Sequence, residues 1–213
     1  EPQDQLGGKN MWTSVNDYKQ FANTFYSWTR DFSSVVYDGT HSDKRSDLIT
    51  YQSYNEFSRG INSIPSSDAN YTDNYKHIRR TNLLIENAET YSKPEDIKQY
   101  LGEAYFFRAY SYFDLLQLYG DVIITKKPLD ITDPEMKVKR NDRSEVVDLI
   151  IDDLNHAVEN LPAFKELTTE EEGRISKEGA QAFLSRVALY EGTWQKSRNG
   201  NQNTQRSANL LDI

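Results

Sequence analysis

The sequence predicts an all-α protein whose helices lie in antiparallel pairs. Residues 71–119 and 144–192 each contain two stretches of apolar residues at helical spacing, separated by a short break. In "FFRAYSYFDLLQLYG", residues 106–120, the polar side chains recur every third position, so they never gather on one face of a helix. This stretch is also too short and too interrupted to span a bilayer. We therefore expect a central helix that other helices cover on several sides.

The composition excludes several classes of function. The 213 residues include 33 acidic and 25 basic ones, and the net charge of -8 argues against a nucleic-acid partner, whose phosphates attract clustered Lys and Arg. The sequence has no Cys, which excludes a disulfide framework, a thiolate metal site and a cysteine nucleophile. Aromatic residues make up 12% of the sequence, including 14 Tyr, so many of the tyrosines must be partly exposed.

The first predicted helix begins where Ser14 or Asn16 can provide an N-cap. Its apolar side chains follow helical spacing, and they are Tyr18, Phe21, Ala22, Phe25, Tyr26 and Trp28. From residue 33 to residue 70 the pattern is lost, apart from a short helix expected near 51–60. Loops of this length inside compact domains are usually functional or disordered.

The first helix pair is predicted over 71–119. One face of its first helix carries Tyr71, Tyr75, Ile78, Asn82, Ile85 and Ala88 or Glu89. After a short joint at Ser92, Pro94 fits the first position of the second helix, which Gly120 is expected to end. The segment "GDVIITKKPL" that follows is expected to be extended.

The second helix pair is predicted over 144–192. Its first helix has Ser144 as the expected N-cap, Pro162 as the stop, and an apolar stripe of Val147, Ile150, Ile151, Leu154, Ala157, Val158 and Leu161. The partner helix directs inward Ala180, Phe183, Leu184, Val187, Ala188 and Tyr190. Ser207 is then expected to cap a third helix with Leu210 and Leu211 on its apolar side. We expect the chain to be truncated at this point, because a helix of one or two turns has little stability alone.

Two helix pairs with small Ala positions, followed by part of a third pair, are typical of a tetratricopeptide-like solenoid with expanded loops. The spacing departs from a strict repeat of about 34 residues. We therefore interpret residues 1–213 as a single helical-repeat region that contains a long loop at 33–70.

Four stretches, taken in order, closely resemble the hallmark segments of the SusD/RagB family. They are "YKHIRRTNLLIENAE" (75–89), "GEAYFFRAYSYFDLLQLYGDV" (102–122), "RSEVVDLIIDDLNHAVENLP" (143–162) and "GRISKEGAQAFLSRVALYEGTW" (173–194). The opening "WTSVNDYKQFANTFYSW" is similar to the first helix of that family. Two positions depart from its usual pattern: Tyr105 stands where the family usually has Arg, and Ile123 where it usually has Pro.

The resemblance implies a SusD-like lipoprotein on the outer-membrane surface of Bacteroidetes-type bacteria. Such proteins act as a hinged lid on a TonB-dependent, SusC-like transporter and capture oligosaccharides, or peptides in the RagB branch. The lipidated Cys that anchors them would lie upstream of Glu1, and no other membrane contact is implied. Family members are much longer, so the resemblance implies that this chain is their N-terminal, repeat-containing portion.

Sugar-binding sites combine exposed aromatic planes with side chains that form several hydrogen bonds. The region 33–75 has this mixture, in Tyr37, His41, Asp43, Arg45, Asp47, Tyr51, Tyr54, Asn70 and Tyr71. The resemblance places Tyr71 where the SusD branch commonly has Trp at the ligand platform. The candidate carbohydrate-binding residues are therefore Tyr37, Asp43, Arg45, Asn70 and Tyr71. The alternative for Tyr71 is that it covers the helix start and packs on the neighbouring loop.

The sequence favours binding over catalysis. No pair of carboxylates is singled out for glycoside hydrolysis, and no nucleophile elbow, zinc-binding helix or phosphate-binding glycine loop is present. Three His without clustered spacing give little support to a metal, and we expect no cofactor. Arg108, in the middle of the central helix, must be paired, with Glu86 or Asp153. A helical scaffold that binds partner proteins remains an alternative function.

Overall fold

The structure is a computed structural model that describes residues 11–29, 60–61, 63–130, 132–199 and 204–213. These described residues form six α-helices and confirm the predicted all-α fold. The helices are α1 (Val15–Asn23), α2 (Ala69–Ala88), α3 (Lys98–Tyr119), α4 (Arg143–Asn160), α5 (Lys177–Arg198) and α6 (Gln205–Leu211). The short helix expected near 51–60 lies outside the described residues except for Gly60.

Ser14, rather than Asn16, caps α1. Its hydroxyl accepts from the Asp17 amide at 3.4 Å, and the Asp17 carboxylate accepts from the Ser14 amide at 2.8 Å. This reciprocal capping box satisfies amides that the helix itself leaves without acceptors. A 3₁₀ turn, Thr24–Trp28, extends α1. The two elements bury Tyr18, Phe21, Ala22 and Phe25.

Helices α2 and α3 form an antiparallel pair. Asp68 caps α2 by accepting from the Asn70 amide at 2.9 Å, and its other carboxylate oxygen accepts from the Tyr119 hydroxyl at 2.6 Å. That second bond joins the beginning of α2 to the end of α3. As predicted, Pro94 begins the 3₁₀ turn that leads into α3, and Gly120 ends α3 with φ +71°, a conformation that favours glycine.

Helix α3 is the predicted central helix, with buried residues on all sides. Gly102 allows α3 to approach the end of α4, because a Cβ there would lie 3.0 Å from Leu161 Cγ. Rings on α3 contact α5 edge-on: Phe106 lies 5.4 Å from Phe183, and Phe113 lies 5.5 Å from Phe183 and 5.4 Å from Tyr190. Helix α3 therefore contacts its own partner, α2, and also the helices of the second pair, α4 and α5.

The predicted N-cap of α4 was wrong. The helix begins at Arg143 with Asp142 as its cap, and Ser144 lies inside the first turn. The Glu145 carboxylate accepts from the Asp142 amide at 2.9 Å, a bond that a cap at Ser144 would not allow, because residue 147 is Val. The helix ends at Asn160, shortly before Pro162, as expected.

The predicted cap of α6 was also wrong. Thr204 is the cap, its hydroxyl accepts from the Ser207 amide at 3.1 Å, and the Ser207 hydroxyl accepts from the Thr204 amide at 2.8 Å. Ser207 thus lies in the first turn of α6, where its hydroxyl accepts a hydrogen bond from the amide of the cap residue. Leu210 is buried and Leu211 is largely exposed. The preceding helix α5 is capped by Ser176 and continues to Arg198, beyond the predicted end at 192.

Among the residues that the structure describes, three buried ion pairs join the helical layers across the core. Each links an arginine to a carboxylate far away in sequence, and they are Arg108–Asp153, Arg174–Glu103 and Arg143–Glu191. The first connects α3 to α4 and the third connects α4 to α5. Carboxylates buried in this way depend on their partners, because an unpaired charge in the interior is strongly destabilising.

Candidate functional site

A groove of about 460 Å³ runs between the N-terminal half of α2 and the segment that follows α3. We call it the tyrosine groove. Its lining residues are Tyr71, Thr72, Tyr75, Lys76, Arg79, Ile123, Thr125, Lys127 and Leu129. The volume lies within the range of roughly 300–1,000 Å³ that is usual for small-molecule sites.

The wall opposite α2 is a segment outside the helices, residues 122–129, whose backbone is held by side chains of α2 and α3. The Tyr75 hydroxyl donates to the Ile123 carbonyl at 2.8 Å and accepts from the Ile123 amide at 3.0 Å. The Tyr112 hydroxyl accepts from the Thr125 amide at 2.8 Å. These bonds replace the ladder that a sheet would supply, because backbone polar groups need partners when they are removed from water. The helices therefore fix the position of this wall.

Asn82 connects the wall to the buried ion pair. Its amide nitrogen donates to the carbonyls of Thr125 at 3.0 Å and Lys127 at 3.2 Å, and its amide oxygen accepts from Arg108 Nη1 at 2.8 Å. Arg108 donates to both oxygens of Asp153, at 2.8 and 2.6 Å. Of the two predicted partners of Arg108, Asp153 is therefore correct and Glu86 is wrong. The chain of contacts runs from α4 through α3 and α2 to the groove.

Tyr71 lines the groove but is also part of an aromatic cluster. Its ring meets the Tyr119 ring edge-on at 5.2 Å and the Tyr75 ring at 4.8 Å. The residue is half-buried, so part of the ring stays accessible from the groove. Tyr71 thus packs on neighbouring rings, while part of its own ring faces the groove.

Asn70 faces a different depression from Tyr71. Adjacent residues of an α-helix point about 100° apart, and Asn70 lines a smaller depression of about 190 Å³ on the other side of α2. The other residues of this depression are Trp28, Ala69, Asp73, Asn74, His77, Tyr110 and Asp114. The remaining candidates, Tyr37, Asp43 and Arg45, lie outside the described residues.

The sequence analysis missed the stacked pair in this smaller depression. The Trp28 and His77 rings are 4.1 Å apart and nearly parallel, at 13°. Burial is the main reason why the pKa of His77 falls to about 4, with Arg80 and Lys76 lowering it further and Asp73 opposing them. No local pattern in the sequence indicates that these two residues, 49 positions apart, meet.

The lowered pKa of His77 predicts an acid-sensitive contribution to stability. The folded protein favours the neutral imidazole, whereas in the unfolded chain His77 takes up a proton near its ordinary pKa of 6.5. Its contribution is therefore complete above pH 6.5 and is lost as the pH falls toward 4. For a half-buried group, with allowance for solvent screening, we expect a loss of about 1–2 kcal/mol.

The measurement is the free energy of unfolding from urea titrations between pH 7 and pH 4, compared with that of His77→Gln. The variant should lose less stability over this range than the wild type. His156→Gln, at a more exposed histidine, is the matched control and should follow the wild-type curve. Parallel curves for the wild type and His77→Gln would contradict the assignment.

The residues that the structure describes contain neither a cluster of metal ligands nor a helix that could span a membrane. In this part of the chain, no three or more His, Asp or Glu side chains converge as metal ligands would. None of its helices combines the length and apolarity that crossing a bilayer requires.

The chain is similar to known proteins of one family. Residues 7–189 match a SusD-like family model described as "Starch-binding associating with outer membrane". A SusD-like protein of Formosa agariphila is 35% identical over 133 residues, which cover 61% of this chain and 25% of that protein. The chain thus spans about a quarter of the length of this curated relative.

Several solved structures are also similar to this chain. A SusD-like protein from Bacteroides fragilis NCTC 9343 has a TM-score of 0.72 at 25% identity, and the match covers 92% of this chain and 38% of that one. A laminarin-binding SusD-like protein has a TM-score of 0.57 at 28% identity, with 73% and 31% covered. A structure solved with a xylogluco-oligosaccharide has a TM-score of 0.56 at 25% identity, with 73% and 30% covered.

Proposed function

Since this chain belongs to the SusD-like family of outer-membrane-associated starch-binding proteins, we propose that its tyrosine groove binds an oligosaccharide. The observation that carries the proposal is the accessible part of the Tyr71 ring beside an apolar wall. Similar proteins whose descriptions name laminarin or a xylogluco-oligosaccharide support a glycan as the ligand class. The proposal assigns binding to the groove and no catalytic step.

The groove supplies the two kinds of surface that a sugar ring needs. Tyr71, Tyr75, Ile123 and Leu129 offer apolar surface for the C–H faces of a pyranose. Thr72, Lys76 and Arg79 lie along the rim, where they can form hydrogen bonds with hydroxyl groups. The hydroxyl of Tyr75 already bonds to the opposite wall, so Tyr71 is the ring best placed for stacking.

The full-length protein is proposed to deliver the glycan to a SusC-like, TonB-dependent transporter. In this proposal a lipidated Cys upstream of Glu1 anchors it to the outer membrane, and the present chain supplies the N-terminal, repeat-containing portion of the ligand platform. The family description, which associates starch binding with the outer membrane, supports this location. Isolation of the full-length protein together with a transporter barrel from outer membranes would test the partnership.

Replacing Tyr71 by Ala is expected to weaken glycan binding by the full-length protein fivefold to tenfold. The loss of one stacking contact costs on the order of 1 kcal/mol or somewhat more, which corresponds to that change in Kd. Tyr71→Phe keeps the ring and should bind like the wild type. Asn70→Ala changes the smaller depression and should have little effect. Isothermal titration calorimetry against a panel of oligosaccharides gives the affinities, and circular dichroism checks the fold.

The outcomes separate the alternatives. Equal affinity of Tyr71→Ala and wild type, with binding measured, would remove Tyr71 from the site. Binding to peptides but to no glycan would favour the RagB-like alternative. Binding to neither glycans nor peptides, together with capture of a partner protein on the helical surface, would favour the scaffold alternative.

A further inference from the structure

We propose that the tyrosine groove selects glycans that carry negative charge, as carboxylate or sulfate groups. This inference rests on the proposed function and adds the chemical class of the ligand. The groove is lined by three cationic residues, Lys76, Arg79 and Lys127, and by no acidic residue among those that the structure describes. A neutral sugar needs hydrogen bonds and an apolar surface, and it gains little from three positive charges. The chain as a whole has a net charge of -8, so the charge of this lining is opposite to that of the chain.

The three cations stand on both sides of the groove. Lys76 and Arg79 are three residues apart on α2, so they are neighbours on one face of the helix. Lys127 comes from the opposite wall, where Asn82 holds its backbone carbonyl at 3.2 Å. An anionic group on a sugar that stacks against Tyr71 would therefore meet positive charge from both walls. The apolar surfaces between them lower the local dielectric and strengthen that attraction.

The acidic neighbours of Lys76 and Arg79 are weak competitors. Asp73 lies 2.8 Å from Lys76 Nζ, and the side chains of Lys76 and Asp73 are 73% and 51% exposed. Asp130 lies 3.7 Å from Arg79 Nη2, and the side chains of Arg79 and Asp130 are 46% and 82% exposed. Exposed pairs of this kind contribute only about 0–1 kcal/mol, so a ligand anion can replace them.

Arg79 is the cation best suited to recognise a carboxylate or sulfate. Its Nε donates to the Leu129 carbonyl at 3.3 Å, which directs the guanidinium across the groove toward the opposite wall. A guanidinium binds planar or tetrahedral oxyanions through paired hydrogen bonds, whereas an ammonium acts as a point charge. The selectivity is therefore expected to depend more on Arg79 than on Lys76.

The experiment compares matched probes on the full-length protein by calorimetry. The probes are a neutral gluco-oligosaccharide, an oligogalacturonide of the same length and a sulfated galacto-oligosaccharide. We expect at least one charged probe to bind roughly tenfold more tightly than the neutral one at about 50 mM salt, and this preference should shrink at about 500 mM salt because salt screens charges. Comparing the two charged probes distinguishes carboxylate from sulfate recognition.

Two charge-removing variants locate the preference. Arg79→Gln and Lys127→Gln should each reduce the preference for the charged probe over the neutral probe roughly fivefold. Arg140→Gln removes the same charge at a separate depression near Trp194, so it is the matched control and should behave like the wild type. All three residues are exposed, so the variants are expected to fold.

Failure of this inference differs from failure of the proposed function. If the neutral probe binds as tightly as both charged probes and Tyr71→Ala weakens it, the groove remains a glycan site and the charge selectivity is refuted. A preference for charged probes that Arg79→Gln and Lys127→Gln leave intact would also overturn the inference. If none of the three probes binds, both proposals fall.

Discussion

Arg108→Met is expected to lower the free energy of unfolding by about 3–5 kcal/mol, because it leaves the Asp153 carboxylate buried without a cation. The side chains of Arg108 and Asp153 are only 6% and 2% exposed, so water cannot replace the lost partner. The Asn82 side chain also loses a donor to its amide oxygen. Chemical denaturation monitored by circular dichroism measures the change.

The double variant Arg108→Met/Asp153→Leu separates the value of the pair from the cost of an orphaned charge. Replacing both members by apolar side chains of similar size removes the desolvation penalty together with the attraction, so much of the lost stability should return. If Arg108→Met alone has the same denaturation midpoint as the wild type, the guanidinium does not stabilise the buried negative charge of Asp153.

Phe113→Ala is expected to cost about 3–5 kcal/mol. The Phe113 side chain is 3% exposed and joins the two helix pairs, since its ring meets Phe183 and Tyr190 of α5 edge-on. Truncation removes these contacts and leaves a cavity that the surrounding helices fill only in part. Thermal unfolding should show a clearly lower Tm.

The same substitution at an exposed phenylalanine is the control for this prediction. Phe164 is 68% exposed, and Phe164→Ala should change stability by less than about 0.5 kcal/mol. A Tm of Phe113→Ala equal to that of the wild type would mean that the face of α3 toward α5 is not a packed interface.

Much of the fold could be predicted because the helices bury continuous apolar surface. The pattern of α3 indicated a helix covered on all sides, Gly120 gave its end, and Pro94 gave the start of the 3₁₀ turn that leads into it. Helix starts were predicted less well, because two neighbouring residues can each serve as a cap. At α4 the return bond from Glu145 selects Asp142 over Ser144. Such a reciprocal pair is visible in the sequence once residues three apart are considered together.

The candidate site was predicted only on its α2 side. Tyr71 was proposed because the resemblance places it where the SusD branch commonly has Trp. The opposite wall depends on contacts between residues about 50 positions apart in sequence, such as Tyr75 with Ile123. The segment 122–129 was expected to lie outside the helices, and it does, but no periodicity shows which side chains hold such a segment. The Trp28–His77 stack was missed for the same reason.

The departure from the family pattern at Ile123 has a structural reason. The family usually has Pro at this position, and Pro has no amide hydrogen. Here the Ile123 amide donates to the Tyr75 hydroxyl at 3.0 Å, and the same hydroxyl donates back to the Ile123 carbonyl at 2.8 Å. Ile123 thus permits a two-way bond that ties the groove wall to α2. Tyr105, at the other departure, stacks on His156 at a ring distance of 4.9 Å.

The groove wall is held mainly through its main chain rather than through its side chains. The position of the wall therefore depends little on the chemical character of those side chains. Tyr75, Asn82 and Tyr112 bind the wall through its main-chain amides and carbonyls, which are the same whatever the side chain. Side chains on the wall can therefore differ between related proteins without loss of these main-chain hydrogen bonds. The exception is Pro at 123 or 125, which removes a donating amide. This makes the wall a suitable place to diversify in a library aimed at new glycans. In such variants, single substitutions on the wall would change the ligand preference, and the helices that hold the wall would stay the same.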